Sequence, residues 1–243
     1  MSTEYFILTG AESGEHDADR SQVVTLSRDS VTYILPKSNL NYYCSHGLFE
    51  NQLIEWSRQF CSRDKIFLDI GAHTGTYAIS LAGSCKSVHA FEPQRSTYYA
   101  LCGGIALSGY CNRIVAHNYG LGNQSQEGEN TLNIVSPDGG GSSMHVTDET
   151  QVLHREKIQV KTLDSALSES DSAEVGFIKM DVEDNEVFVL QGAKMTLIRS
   201  NWPTILFESN RDNAAPFDCL RNMGYSIVPI SGISNMFLAS HNR

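Results

Sequence analysis

Residues 67–79 read FLDIGAHTGTYAI, and this stretch decides the fold. An apolar run ends in an acid, two glycines follow, and a helix-like stretch begins at once. Asp69, Gly71 and Gly75 form a D-x-G-x-x-x-G pattern with one glycine at a strand's exit and the other at a helix's entry. Open α/β sheets bind ligands at such handovers, beyond the carboxyl ends of their strands. Gly71 is expected to permit a sharp turn, and Gly75 to let the helix N-terminus approach a ligand.

Outward from this motif the pattern alternates. IFLDI, SVHAFE and RIVAHN are apolar runs, with the helical stretches TYAISLA and RSTYYALCGGIAL between them. Strand and helix taking turns predicts βαβ units and a parallel sheet. Residues 119–158 are looser, carry the glycine cluster SPDGGGSSM, and are expected to lie over one sheet edge. IQVKTLD, VGFIKMD, NEVFVLQGAKMTLI and TILFES then resume the alternation, and AAPFDCLRNMG, YSIVPI and NMFLAS close the chain as a helix and two antiparallel strands. The prediction is an α/β, Rossmann-like sheet, mostly parallel with an antiparallel C-terminal strand and helices on both faces. Before it, YFILT, QVVTLS and SVTYILP predict an N-terminal β-hairpin appendage. The expected division is a β-rich extension over residues 1–48 and the Rossmann-like domain over 49–243. Phe49, Leu53, Trp56 and Phe60 recur at the period of one helix face, which predicts a helix packed on the sheet.

A net charge of −10 and a pI near 5.2 argue against nucleic acid, whose nonspecific affinity comes from clustered Lys and Arg. No stretch approaches bilayer length and the opening YFIL is too short for a signal peptide, so no membrane partner and a cytoplasmic location are expected. Six scattered cysteines form no CxxC pair, so free thiols and no metal site are expected.

The motif suits a zwitterion. Asp69 offers a carboxylate to an ammonium, and backbone N–H groups around His73, Thr74 and Gly75 suit a carboxylate. Glu92, 17 residues after Gly75 and followed by Pro93, ends the second apolar run, where an acid can accept hydrogen bonds from two ribose hydroxyls. Together these fit S-adenosylmethionine. Asn118 and Tyr119, at the third strand's end, are candidates for flanking the adenine. A nicotinamide alternative needs G-x-G-x-x-G, and His73 stands where the second glycine must let a pyrophosphate approach the backbone. A cofactor-binding protein without chemistry is a further alternative.

VGFIKMDVED runs from an apolar strand into acids. In extended chain Asp181 and Glu183 point the same way, so both are expected to face one space. An alcohol losing its proton as a methyl group arrives needs a base, and a carboxylate can serve. Asp181 is expected on the cofactor side, Glu183 toward the acceptor, and Glu208 at the next strand's end as a third catalytic carboxylate. Asp184 and Glu186 read as an acidic helix start that complements the dipole. The same three catalytic acids offer oxygen ligands for Mg²⁺ as an alternative. His117 and His145 are further candidate bases, and Gly139–Gly141 reads as a lid or a long turn.

FLDIGAHTGTYAI, HAFEPQ, VKTLDSAL, FIKMDVEDNEVFVLQGA and ILFES occur in this order over roughly residues 49–208, and here the chain resembles the FkbM-type methyltransferases. The resemblance implies a class I methyltransferase sheet, S-adenosylmethionine, and O-methylation of a sugar, glycan or related small molecule. Two positions depart from the family pattern. Asp184 stands where D-V-E-G has glycine, and His73 where asparagine is usual.

Overall fold

The computed structural model describes residues 5–9, 31–145, 148–209, 213–233 and 235–242. Strands β1 (Tyr5–Thr9) and β2 (Thr32–Pro36) pair antiparallel, as the hairpin expectation requires, while QVVTLS lies outside the described residues. Two helices follow, α1 (Leu40–His46) and α2 (Asn51–Ser57). The helix expected from the Phe49 to Phe60 spacing exists as α2 and a short 3-10 turn. Its buried side is Leu53, Ile54 and Ser57, whereas Phe49 and Trp56 are exposed. The aromatic spacing marked the helix but not its inward face.

The main sheet comprises β3 (Ile66–Ile70), β4 (Ser87–Phe91), β5 (Ile114–His117), β9 (Val175–Met180), β10 (Thr204–Glu208), β11 (Tyr225–Pro229) and β12 (Met236–His241). Its order is β11-β12-β10-β9-β3-β4-β5. β12 runs antiparallel to both its neighbours, and the β10-β9-β3-β4-β5 pairings are all parallel. The order in which successive strands are added to the sheet reverses between β3 and β9, the switch point at which such sheets leave a crevice.

Alternation along β3 explains the layering. Phe67 turns to one face with Ile79 and Leu101, from α3 (Thr76–Leu81) and α4 (Arg95–Leu107). Ile66, Leu68 and Ile70 turn to the other, with Val189, Leu197 and Leu220. These come from α7 (Glu186–Gln191), α8 (Lys194–Arg199) and α9 (Ala214–Asn222). The short helices α5 (Leu163–Ala166) and α6 (Glu169–Glu174) lead into β9. Tyr33, Leu35 and Tyr43 are buried in the α3–α4 core, so residues 31–48 are packed onto the sheet domain.

Residues 119–158 hold more order than their loose pattern suggested. β6 (Gly120–Leu121), β7 (Gly128–Ile134) and β8 (His154–Lys161) form a three-stranded sheet in the order β6-β8-β7. IQVK therefore belongs to this small sheet and not to the main one. Leu132, Ile134, Ile158 and Val160 give it a core of its own.

Candidate active site

A cavity of about 420 Å³ opens over the carboxyl ends of β3, β4 and β9. The turn at residues 70–73 is its floor, Phe91 to Pro93 and Asp181 to Glu183 are opposite walls, and Gly139 to Ser142 lie across it. Asn39, Tyr43, Phe49 and Glu50, from around α1 and α2, close the remaining side.

The two glycines have different reasons. Gly71 has φ +78, and a Cβ there would stand 1.7 Å from the Asp181 carbonyl oxygen. The exits of β3 and β9 approach so closely that no side chain fits between them. Gly75, at φ +87, was expected to admit a ligand; instead a Cβ there would meet Leu101 Cδ1 at 2.4 Å and Ile79 Cδ1 at 3.2 Å. It lets α3 pack on α4, and Gly75 and the fully buried Thr74 stand behind the cavity wall.

Asp69 also lies beneath the floor. Its Oδ2 accepts from the Ala78 N–H at 2.8 Å, and Oδ1 is buried without a hydrogen bond, 4.0 Å from the Lys179 ammonium. Burial pushes this carboxyl up to about 6, against the pull of Lys179. Its expected direct grip on an ammonium is thus replaced by a hold on the first turn of α3. Lys179, in the cavity wall, was not singled out from the sequence. Its ammonium donates to the Gly71 carbonyl at 3.0 Å and to Asp181 Oδ2 at 3.3 Å, and lies 5.3 Å from the Tyr77 ring centre. Burial opposes its charge, but Asp181, Asp69 and Glu50 outweigh that and raise its proton affinity. The available signal was a lysine two residues before Asp181 in an apolar strand, hence on the same face.

Asp181 and Glu183 both line the cavity, though not as an extended pair. Glu183 and Asp184 have φ of 51 and 74, so the chain turns sharply after Val182. Burial and the Asp181 charge raise the Glu183 carboxyl, and the Gly141 N–H steadies its Oε1 at 3.0 Å. Glu208 stands behind Asp181 and outside the cavity wall. Burial, then the charges of Asp181, Glu183 and Glu50, push it up to about 8. Glu50, with φ 55, accepts the Tyr77 hydroxyl at 2.8 Å. Glu186 departs from the solvated helix start expected of it. It is buried, its Oε1 accepts from the Val182 N–H at 3.3 Å, its Oε2 has no hydrogen bond, and burial raises it to about 7.

At the opposite wall, Glu92 Oε2 accepts from the His73 N–H and Oε1 from the Gln94 N–H, each at 2.8 Å. One N–H on each oxygen fixes the carboxylate and leaves lone pairs for a diol. Asn118 turns away and ties the Glu92 and Pro93 carbonyls, each at 3.0 Å. The Tyr119 hydroxyl meets His117 Nδ1 at 3.1 Å, while Gly120 and Leu121 reach the cavity in place of Asn118 and Tyr119. His117 also contacts His89 at 3.0 Å and stacks on Phe91; burial, with His89 and Lys161, lowers it to about 4, away from the reaction space. His145 stands behind Asn185, 2.9 Å from its Oδ1.

The glycine cluster is a strap. His73 Nε2 contacts the Asp138 carbonyl at 2.6 Å, Asn39 Nδ2 donates to Asp138 Oδ2 at 2.7 Å, and Ser142 Oγ donates to Gln94 at 3.0 Å. Among the described residues no three His, Cys, Asp or Glu side chains converge as a metal-holding group, so the magnesium arrangement of Asp181, Glu183 and Glu208 is not formed.

A mostly parallel sheet with this strand order, and a cavity at its switch point, define the class I methyltransferase fold. A Geobacter metallireducens precorrin-6y C5,15-methyltransferase shares it at a TM-score of 0.50 and 10% identity, over 80% of this chain and 90% of that one. So does a ribosomal protein L11 methylase from Lactobacillus delbrueckii subsp. bulgaricus, at 0.50 and 12%, over 80% and 79%. No curated protein matches the chain in sequence. The chain belongs to the FkbM methyltransferase family, whose model, described as the methyltransferase FkbM domain, matches residues 69–227. It is accordingly an S-adenosylmethionine-dependent methyltransferase, and the nicotinamide alternative falls away. The chain's own donor set fits that cofactor, since Glu92 is pinned for a diol and the wall around Ile70, Phe91 and Leu121 is apolar.

Proposed function

We propose that the chain transfers a methyl group to a hydroxyl of a sugar, glycan or related small molecule. The observation that carries this reading is the group of carboxylates at the exits of β9 and β10, Asp181, Glu183 and Glu208, two of them held above the ordinary carboxylate range. Bound S-adenosylmethionine supplies an electrophilic methyl group on a sulfonium. Glu92 takes the ribose hydroxyls, and Gly71 to His73 carry the methionine end. Glu183, steadied by Gly141, receives the proton that the acceptor hydroxyl loses as its oxygen–carbon bond forms, and a raised proton affinity suits that task. Asp181 faces the cavity with the Lys179 ammonium 3.3 Å from its Oδ2, and Glu208 stands behind it with its proton affinity raised. The acidic chain and a cavity of about 420 Å³ favour a small-molecule or glycan acceptor over nucleic acid. We read the protein as cytoplasmic and without a membrane partner; among the described residues no helix is long and apolar enough to cross a bilayer.

Methyl transfer from labelled S-adenosylmethionine to a panel of hydroxyl compounds tests the reading. Glu183→Gln should lower turnover by about 100-fold or more with little change in S-adenosylhomocysteine affinity. EDTA should leave the rate unchanged. Undiminished turnover in the variant, or transfer to nitrogen acceptors alone, contradicts the proposal.

A further inference from the structure

The acceptor side of the cavity holds more negative charge than its surroundings neutralise. Glu50, Asp181 and Glu183 all line the cavity, and the charges of all three bear on Glu208 behind Asp181. Among the described residues, Lys179 is the only lysine or arginine in the cavity wall, and it is shared by Asp181 and Asp69. Beneath the floor, the buried Asp69 Oδ1 has no hydrogen bond and lies 4.0 Å from the same Lys179 ammonium. A pocket of this kind repels carboxylates and phosphates and gains from a cation.

A second feature adjoins the acids. Phe49 and Tyr43 line the cavity beside Glu50, their ring centres 5.0 Å apart, and Tyr42 stacks on Phe49 at 4.0 Å. Phe49 and Tyr42 each keep 39% of their surface exposed, so the cluster does not serve only to fill the core. Aromatic rings beside carboxylates attract ammonium groups through the ring quadrupole and exclude anions. Glu50 is held in a left-handed backbone, and the Tyr77 hydroxyl fixes its carboxylate at 2.8 Å. Strain of this sort at a cavity mouth persists where the surrounding structure demands it.

We infer that the acceptor carries a protonated amino group near the hydroxyl it presents, with Glu50 and the Phe49 ring taking the ammonium and Glu183 facing the hydroxyl. The inference rests on the hydroxyl-methylation reading of this cavity, and it selects within that reading an amino sugar or amino alcohol over neutral and acidic acceptors.

Three matched probes test it on the full chain saturated with S-adenosylhomocysteine: methyl glucosaminide, methyl glucoside and methyl glucuronide. Calorimetry should show the glucosaminide binding about tenfold more tightly than the glucoside, the glucuronide not binding, and the preference shrinking as salt is raised. Glu50→Gln should reduce the amine preference to about threefold or less. The salt series, read on the unaltered protein, stands even where that variant folds poorly. Equal binding of amine and neutral probes, tightest binding of the glucuronide, or no binding of the glucosaminide at millimolar concentration overturns the inference. Amine-selective binding without methyl transfer to any hydroxyl would leave the selectivity standing and remove the O-methylation reading. Transfer without amine selectivity would do the reverse.

Discussion

His73 and Asp184, the two residues that depart from the family pattern, share a backbone property that explains the pattern. Their φ values are 50 and 74, in the left-handed region that glycine enters freely and asparagine more readily than most residues. Glycine and asparagine are thus what the turn geometry favours there, and this chain tolerates costlier residues. Glu183, at φ 51, and Glu50, at φ 55, are further left-handed residues at the cavity. Asp184→Gly should raise stability by up to about 1 kcal/mol in urea unfolding, because it relieves the left-handed conformation of a residue with a Cβ. A loss of stability would show that the Asp184 side chain outweighs that strain. Gly71 and Glu92, which line the cavity, were picked out from residue type and spacing alone, because strand tips are where charge and turn chemistry meet, whereas Asp69, picked out the same way, lies beneath the floor. Lys179 and Glu50 were not picked out. Their meaning depends on which strand lies beside which, and only the β3–β9 pairing brings Lys179 under Gly71.

At the scale of elements, β3, β4, β9 and β10 were readable because strands buried on both faces are nearly continuous apolar runs. The small sheet was not, since β7 carries Glu129, Asn130, Thr131 and Asn133 among its apolar positions and buries only its later residues. Helix α1 escaped notice for a related reason, as Tyr43 is its single buried residue. The turn into α3 shows how a correct motif can carry a mistaken reason. Gly75 relieves packing between α3 and α4, so Gly75→Ala should lower the thermal midpoint markedly, in line with the roughly 1–3 kcal/mol of an overpacked core. The affinity of the surviving folded protein for S-adenosylhomocysteine should change little. A stable variant that binds weakly would restore Gly75 to the ligand's side.

For the molecule as a whole, buried carboxyls set the pH dependence of stability. Glu186, raised to about 7, and Glu208, raised to about 8, bind protons more tightly folded than unfolded, so each favours the folded state increasingly as pH falls from 8 toward 4.5. His117, lowered to about 4, acts oppositely below pH 6.5. Calorimetric melting should therefore find the protein more stable at pH 6 than at pH 8.5, and Glu186→Gln should narrow the gap by raising the midpoint at pH 8.5. A flat profile would mean that these carboxyls are solvated. The central claim is that one cavity, at the reversal point of the sheet, joins a fixed ribose acceptor at Glu92 to a carboxylate wall at Asp181 and Glu183. A crystal structure with S-adenosylhomocysteine addresses it most directly. The account predicts ribose hydroxyls on Glu92, the methionine end over Gly71 to His73, and the sulfur turned toward Asp181 and Glu183. Density for the nucleoside anywhere else, or a sulfur pointing away from those carboxylates, would contradict it.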